Sequence, residues 1–185
     1  IVEPETLLLD EPLSNLDGNL REQMRFEIRE IQKRIGITTV FVTHDQNEAM
    51  AVADRLAVMS KGKIQQVGTA REIYEAPSDL FVAEFIGQAN LLKGRVAAIN
   101  GTEARLATSQ GEFSVSRHQG RVGAGQPAAL ALRPEDLRIA TEVQPGMNNV
   151  AGTVSRVNFL GSVTNVGVRV GELSLTITMP RTEGL

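Results

Sequence analysis

The segment Thr6–Asp17 limits most strongly what this chain can fold into. Its three consecutive leucines, Leu7–Leu9, are typical of a strand covered on both faces, as in a parallel sheet between helices. The run ends in Asp10 and Glu11, which such a sheet would place at its carboxyl edge, where ligands of open α/β sheets bind. One carboxylate there is suited to hold Mg²⁺ through water, and the other to orient a water for attack on a phosphoryl group. The alternative is a strand that ends in a solvated acidic turn, and the short run alone leaves both interpretations open.

The longer pattern around these carboxylates resembles a known family. Leu9–Pro12, followed by Leu13–Asp17, closely resembles the Walker B motif and D-loop of ABC transporter ATPases. Val42–Asp45 resembles the H-loop of the same family. The resemblance implies a P-loop NTPase fold for this part of the chain and hydrolysis of ATP with Mg²⁺.

The resemblance also implies roles for individual residues. Asp10 would bind Mg²⁺ through water, Glu11 would be the general base, and His44 would contact the γ-phosphate. Further members of the implied nucleotide-binding set are Ser14, Asn15 and Asp17, and Asp17 would lie across the interface of an ATP-sandwich dimer.

The residues between the two motifs predict a βαβ unit. A helix beginning after Asp17 has apolar residues at steps of three and four, namely Leu20, Met24, Ile28, Ile31 and Ile35. Gly36 is suited to end it, and the β-branched run Ile37–Thr43 predicts the next buried strand. Parallel pairing of the two strands would bring His44 to the same sheet edge as Asp10 and Glu11.

Capping and turn signals continue along the first unit. Asp45 with Glu48, and Thr69 with Glu72, each predict a capping box at the start of a helix. Lys61–Gly62 predicts the turn of a β-hairpin. Asp79 predicts the start of another helix, whose apolar residues are expected in the core: Phe81, Val82, Phe85 and Ile86.

Composition changes near Gly87, which predicts two domains, 1–86 and 87–185. The first would be the α/β part of an ABC nucleotide-binding domain and the second an all-β, OB-like barrel. The predicted strands of the second domain are Leu91–Ile99, Glu103–Ala107, Glu112–Val115, Pro127–Leu132, Leu137–Ala140, Val150–Phe159, Thr164–Val170 and Leu173–Thr178.

An internal repeat supports the barrel. Gly94–Ile99 matches Gly152–Val157 in its glycine, its first valine and its last β-branched residue, which resembles the two half-repeats of a TOBE domain. The repeat predicts that Val96, Ile99, Val154 and Val157 point into one core. The second half-repeat is expected to lack its last strand, and the open edge would favour self-association.

A phosphate-binding loop of the form G-x-x-x-x-G-K-[ST] does not occur in the 185 residues. The pair Gly62–Lys63 lacks the upstream glycine and belongs to the predicted hairpin. The family's Leu-Ser-Gly-Gly-Gln-type signature does not occur either. We therefore expect this chain to be the C-terminal portion of a longer ATPase and to be inactive alone.

Bulk properties narrow the function classes. The net charge of −3 and an aromatic content of 4% argue against nucleic-acid binding. Without cysteine there is no disulfide or thiolate metal site, and with only His44 and His118 a multi-histidine zinc site is not expected. No apolar run approaches the ~20 residues of a membrane span, so the chain is expected to be cytoplasmic and to meet the membrane through a partner.

Together these features predict the ATPase subunit of an ABC importer. The resemblance implies a homodimer, transmembrane permease subunits as partners and, indirectly, an extracytoplasmic solute-binding protein. The sequences around His44 and at Leu132–Arg138 most resemble those of the spermidine/putrescine importers, with sugar and iron(III) importers as alternatives. A different class also remains open, in which the chain is a non-catalytic module for regulation, dimerisation or small-ligand binding.

Overall fold

The computed structural model describes residues 4–116 and 122–181, so His118 lies outside the described residues. Contacts divide the chain into two compact units, Ile1–Pro77 and Ser78–Leu185. Composition had suggested a boundary near Gly87, which would leave the helix at residues 80–85 with the first unit. That helix instead groups with the second unit, because Arg133 donates to the main-chain carbonyls of Ala83 and Ile86.

The first unit alternates strands and helices. Its elements are β1 (Thr6–Asp10), α1 (Gly18–Ile35), β2 (Thr38–Val42), α2 (Gln46–Val52), β3 (Leu56–Ser60), β4 (Lys63–Gly68) and α3 (Ala70–Glu75). Strands β1 and β2 pair in parallel, as predicted, with Asp10 opposite Val42. Strands β3 and β4 form the predicted hairpin, whose turn residues Lys61 and Gly62 both have positive φ.

The expected burial of β1 on both faces is not found within this chain. Leu8 is 72% exposed, and Val40 on the neighbouring strand is 48% exposed. The two strands form a two-stranded sheet, and α1 contributes no buried residue. Few apolar neighbours therefore lie within reach of these side chains in the described part of the chain.

The second unit begins with one short helix and continues as two antiparallel sheets. Its elements are α4 (Leu80–Phe85), β5 (Asn90–Asn100), β6 (Glu103–Thr108), β7 (Gly111–Val115), β8 (Pro127–Leu132), the 3₁₀ turn Pro134–Asp136, β9 (Thr153–Phe159), β10 (Val163–Val170) and β11 (Leu173–Pro180). The strand orders are β7-β6-β5-β8 and β11-β10-β9. The fold class predicted for the chain, α/β followed by an all-β OB-like region, is confirmed.

The core of the second unit joins the two sheets. Leu92 and Phe113 from the first sheet pack with Val170 and Leu175 from the second. Asn90 links them through hydrogen bonds, because its side chain accepts from the Thr176 amide at 2.7 Å and donates to the Thr176 carbonyl at 2.8 Å. The buried amide side chain of Asn90 thus pairs with the main chain of β11 as a neighbouring strand would.

Two local expectations for the second unit differ from the structure. Residues 137–140 form no strand, because the chain leaves β8 through the 3₁₀ turn and Leu137 packs beside the core residues Val166, Ile177 and Met179. Of the four apolar residues expected in the core at α4, Val82 and Ile86 are buried as predicted, whereas Phe81 and Phe85 stack on each other and are 38% and 42% exposed.

The repeat does not place all four of its apolar positions in one core. Val96 is buried, whereas Ile99, Val154 and Val157 are 36%, 46% and 48% exposed. Val154 and Val157 lie on β9, an edge strand of its sheet whose residues are all exposed, and Ile99 lies on the part of β5 that extends beyond its pairing with β8. Equivalent positions in the sequence therefore have different neighbours in the fold.

No helix in residues 4–116 and 122–181 is long and apolar enough to cross a bilayer.

Candidate functional site

The predicted catalytic pair meets at the end of the two parallel strands. Pairing of Asp10 with Val42 continues for one more step, where the Glu11 amide donates to the Val42 carbonyl at 2.9 Å. His44 Nδ1 lies 3.0 Å from Glu11 Oε1. The strand register therefore brings together two side chains that are 33 positions apart in the sequence.

The backbone turns sharply at Glu11. Its φ of 43° lies in the left-handed region, which is uncommon for a residue other than glycine. The turn is held because the Glu11 carbonyl accepts from the Ser14 amide at 3.2 Å and from Ser14 Oγ at 3.0 Å. Strained backbone of this kind recurs at functional sites, where surrounding contacts maintain it.

The His44–Glu11 contact is open to solvent and affects the titration of His44. The side chains of His44 and Glu11 are 76% and 47% exposed. The hydrogen bond to Glu11, together with the attraction of its negative charge, raises the pKa of His44 above the ordinary 6.5. Protonated His44 is therefore stabilised by the carboxylate that the resemblance assigns as general base.

The loop after β1 leads directly into α1. Leu13 anchors this loop and is 2% exposed, whereas Ser14, Asn15 and Asp17 are exposed. Asp17 is the N-cap of α1, since its Oδ1 accepts from the Leu20 amide at 3.0 Å. The predicted cap is confirmed, and the structure assigns Asp17 a local contact in addition to the interface position implied by the resemblance.

Asp10 presents an exposed carboxylate at the end of β1. Among residues 4–116 and 122–181, no group of three or more His, Cys, Asp or Glu side chains could enclose a metal ion. Mg²⁺ needs no such cage, because it keeps several waters and is commonly held by one or two carboxylates. The oxygen chemistry and exposure of Asp10 therefore fit water-mediated binding of Mg²⁺.

The start of α2 differs from the predicted capping box. Asp45 caps the helix as expected, and its Oδ1 accepts from the amides of Asn47 and Glu48. The Glu48 side chain does not return to the Asp45 amide. Thr43 Oγ1 accepts from that amide at 2.9 Å and donates to Glu48 Oε2 at 2.6 Å. Glu48 is consequently buried, at 3% exposure.

Arg21 completes the cluster around the buried Glu48. Its Nε lies 3.6 Å from Glu48 Oε1, and its Nη1 lies 3.7 Å from Asp45 Oδ2. Its Nη2 donates to the Leu16 carbonyl at 2.9 Å. Sequence reasoning missed Arg21 and the burial of Glu48, because both look like ordinary charged residues of exposed helix faces. The one available signal was the hydroxyl of Thr43 five positions before Glu48.

These side chains surround a shallow, open cleft of about 30 Å³, lined by Glu11, Ser14, Arg21, Thr43, His44, Asp45 and Glu48. Typical small-molecule pockets enclose about 300–1,000 Å³. The cleft is polar, so it is suited to part of a charged ligand and to water.

Comparison with known proteins adds independent information. Residues 130–183 match the TOBE domain. The Fe(3+) ions import ATP-binding protein FbpC of Rhizobium etli is 47% identical over 161 residues, which cover 87% of this chain and 44% of that protein. The spermidine/putrescine import ATP-binding protein PotA of Rubrobacter xylanophilus is 44% identical over 168 residues, covering 90% of this chain and 44% of that protein.

A second iron-importer relative, FbpC 1 of Rhizobium meliloti, is 40% identical over 183 residues, covering 99% of this chain and 50% of that protein. The chain thus spans about half the length of the curated relatives it matches. The likeness extends over nearly the whole chain and includes the site as well as the TOBE segment. The chain is therefore similar, over nearly its whole length, to ABC importer ATP-binding subunits, and its residues 130–183 match the TOBE domain.

Proposed function

We propose that this chain contributes the Walker B carboxylates, the D-loop and the switch histidine to the ATP-hydrolysis site of an ABC importer. The observation that carries the proposal is the 3.0 Å contact between His44 Nδ1 and Glu11 Oε1 at the carboxyl edge of β1 and β2. Open α/β sheets bind ligands at this edge. The contact joins the two residues to which the family resemblance assigns catalytic roles.

In this proposal Glu11 orients and deprotonates the attacking water. Phosphoryl transfer depends mainly on positioning and on stabilisation of the charge that develops on the phosphoryl oxygens. His44 supplies a hydrogen bond to the γ-phosphate. Its contact with Glu11 fixes the imidazole ring beside the position of the attacking water. The exposed carboxylate of Asp10 would hold Mg²⁺ through water, and the bound ion would neutralise charge on the phosphates.

The loop residues complete the nucleotide surface. Ser14 keeps the strained turn of Glu11 in place, and the exposed Asn15 and Asp17 face the second subunit of an ATP-sandwich homodimer. The phosphate-binding loop that this chemistry needs does not occur in the 185 residues. The proposed activity therefore belongs to a protein of the relatives' length.

The proposed setting is the inner face of the cell membrane, where the homodimer binds the transmembrane permease subunits. An extracytoplasmic solute-binding protein delivers the solute to that permease. The relatives' names include both iron and polyamine import, at 47% and 44% identity. We keep spermidine or putrescine as the proposed solute on the sequence pattern, with iron(III) or a sugar as the alternatives that uptake assays would distinguish.

The test is the variant Glu11→Gln in the protein of the relatives' length. Loss of a general base typically lowers the rate by about 10²–10⁴-fold, while the isosteric amide should leave ATP binding intact. Turnover and ATP binding are measured in parallel with the control Glu75→Gln, which alters the exposed Arg71–Glu75 pair on α3. Near-normal turnover of Glu11→Gln would refute the role of Glu11. If the unsubstituted protein of the relatives' length shows neither ATP binding nor turnover, the result would favour the non-catalytic module instead.

A further inference from the structure

Glu48 is a buried carboxylate next to the site, and the proposed chemistry assigns it no role. It is 3% exposed, in a chain where most charged side chains are solvated. Burying a carboxylate costs free energy unless hydrogen bonds and an opposite charge compensate it. Both are present, since Thr43 Oγ1 donates to Glu48 at 2.6 Å and Arg21 lies 3.6 Å away.

The contacts of Glu48 bracket His44 on both sides in the sequence. Thr43, directly before His44, donates its hydroxyl to Glu48 and accepts from the main-chain amide of Asp45. Asp45, directly after His44, caps α2 with its side chain. The backbone of His44 is therefore fixed at both neighbours, while its ring is 76% exposed and held only at Nδ1 among its described contacts.

Arg21 extends the same cluster to the loop after β1. It reaches Glu48 and Asp45 through ion pairs and the Leu16 carbonyl through a hydrogen bond of 2.9 Å. Its Nε is buried without a hydrogen bond at the observed distance from Glu48. At 3.6 Å the Arg21–Glu48 pair is an ion pair without a hydrogen bond, and its geometry depends on the placement of both α1, which carries Arg21, and α2, which carries Glu48.

We propose that Arg21, Glu48 and Thr43 are positioning residues, which hold His44 against Glu11 and link its placement to the loop Leu13–Asp17. The inference rests on the proposed function for its effect on turnover. Its structural part, the placement of His44, stands independently. A displacement of about 1 Å in a reacting group can lower a rate by up to about 10²-fold, so loosening this cluster should act on kcat rather than on ATP affinity.

The first experiment uses Glu48→Gln in the protein of the relatives' length. The amide can still accept from Thr43 but removes the charge that pairs with Arg21. We expect kcat to fall about 10-fold or more while KM for ATP changes less than about twofold. The matched control Glu75→Gln removes the carboxylate of an exposed ion pair and should leave both constants unchanged.

A double-mutant cycle separates positioning from general stability. If Glu48 acts through His44, Glu48→Gln should have little further effect on kcat in the His44→Ala background. An equal factor in both backgrounds would refute the proposal, and so would wild-type kcat in the single variant. Turnover that survives His44→Ala unchanged would instead refute the proposed role of His44.

The second experiment needs no hydrolysis and uses a pair of variants at Thr43. Thr43→Val keeps the shape but removes the hydroxyl, whereas Thr43→Ser keeps the hydroxyl. Nitrogen NMR of the nucleotide-free protein reports the contact of His44 Nδ1 with Glu11. We expect Thr43→Val and Glu48→Gln to shift this signal toward its position in Glu11→Gln, and Thr43→Ser to leave it near wild type. A signal that stays unchanged in Thr43→Val, with the protein folded, would overturn the proposal whatever the outcome of the turnover assays.

Discussion

His44 Nδ1 lies 3.0 Å from Glu11 Oε1, although 33 positions separate the two residues in the sequence. Nothing local holds them together. The parallel register of β1 and β2 brings their strand ends to one edge, and the positive φ of Glu11 turns its side chain toward His44. The site therefore depends on the pairing of two strands as much as on the two side chains.

This contact predicts the titration of His44. The carboxylate of Glu11 stabilises the imidazolium form, so the pKa of His44 is raised above its ordinary 6.5. Glu11→Gln removes the negative charge, and the pKa should fall toward the ordinary value. The pair favours the folded state below the unfolded pKa, and this contribution disappears as pH rises through the folded pKa.

The measurement is a proton NMR titration of the 185-residue chain, with a His118→Gln variant to assign the signal of His44. Glu75→Gln serves as the control for loss of a carboxylate elsewhere in the same unit. Identical His44 titration curves in wild type and Glu11→Gln would contradict the contact.

The contact also predicts how His44→Ala acts in the protein of the relatives' length. Phosphoryl transfer relies on positioning, so kcat should fall far more than ATP affinity. Steady-state turnover and equilibrium binding of ATP are the two measurements. Equal loss of both would mean that His44 is only structural.

Asn90 provides a prediction for the second unit. Its buried side chain pairs with both main-chain groups of Thr176. Asn90→Ala leaves these groups without their partner, which typically costs about 1–3 kcal/mol for each buried group. Urea denaturation measures the loss.

Asn148 offers a matched control for Asn90. It also pairs with both main-chain groups of one residue, Ser114, but these bonds are exposed. Water can replace them, so Asn148→Ala should cost clearly less than Asn90→Ala. Equal losses would indicate that burial of the Asn90 bonds adds nothing to stability.

The surroundings of Gly94 predict how an added methyl group at this position affects stability. A Cβ at this position would collide with the main-chain carbonyl of Ala107 on the neighbouring strand β6. Gly94→Ala should therefore lower the free energy of unfolding by about 1–3 kcal/mol, as overpacking commonly does. Gly123→Ala is the control in the same unit, because its Cβ would meet only the Gln126 side chain at 3.4 Å or more. Similar stability of the two variants by thermal denaturation would contradict the predicted collision.

The sequence by itself determined the local structure at positions with strong local signals. Asp17 and Thr69 begin helices as predicted, and Gly36 follows the end of α1 with a φ of 69°. The Lys61–Gly62 turn closes the hairpin. In each case a side chain or a glycine satisfies backbone groups within four residues, so the outcome is decided by neighbours in the sequence.

The sequence also predicted which residues meet at the sheet edge, because parallel strands in a βαβ unit have one common direction. The residue types and their order along the chain indicated the chemistry of Asp10, Glu11 and His44. The 3.0 Å contact and the unusual backbone of Glu11 come from the strand register and the Ser14 bonds, which only the folded chain displays.

Tertiary structure alone decided burial. The Leu7–Leu9 run predicted a covered strand, yet Leu8 is exposed in the two-stranded sheet. Val154 repeats the pattern of Val96, but it lies on the edge strand β9 and is exposed. Glu48 shows the opposite case, a charged residue buried because Thr43 and Arg21 compensate its charge. Burial is a property of the neighbours that a fold supplies, and those neighbours are distant in the sequence.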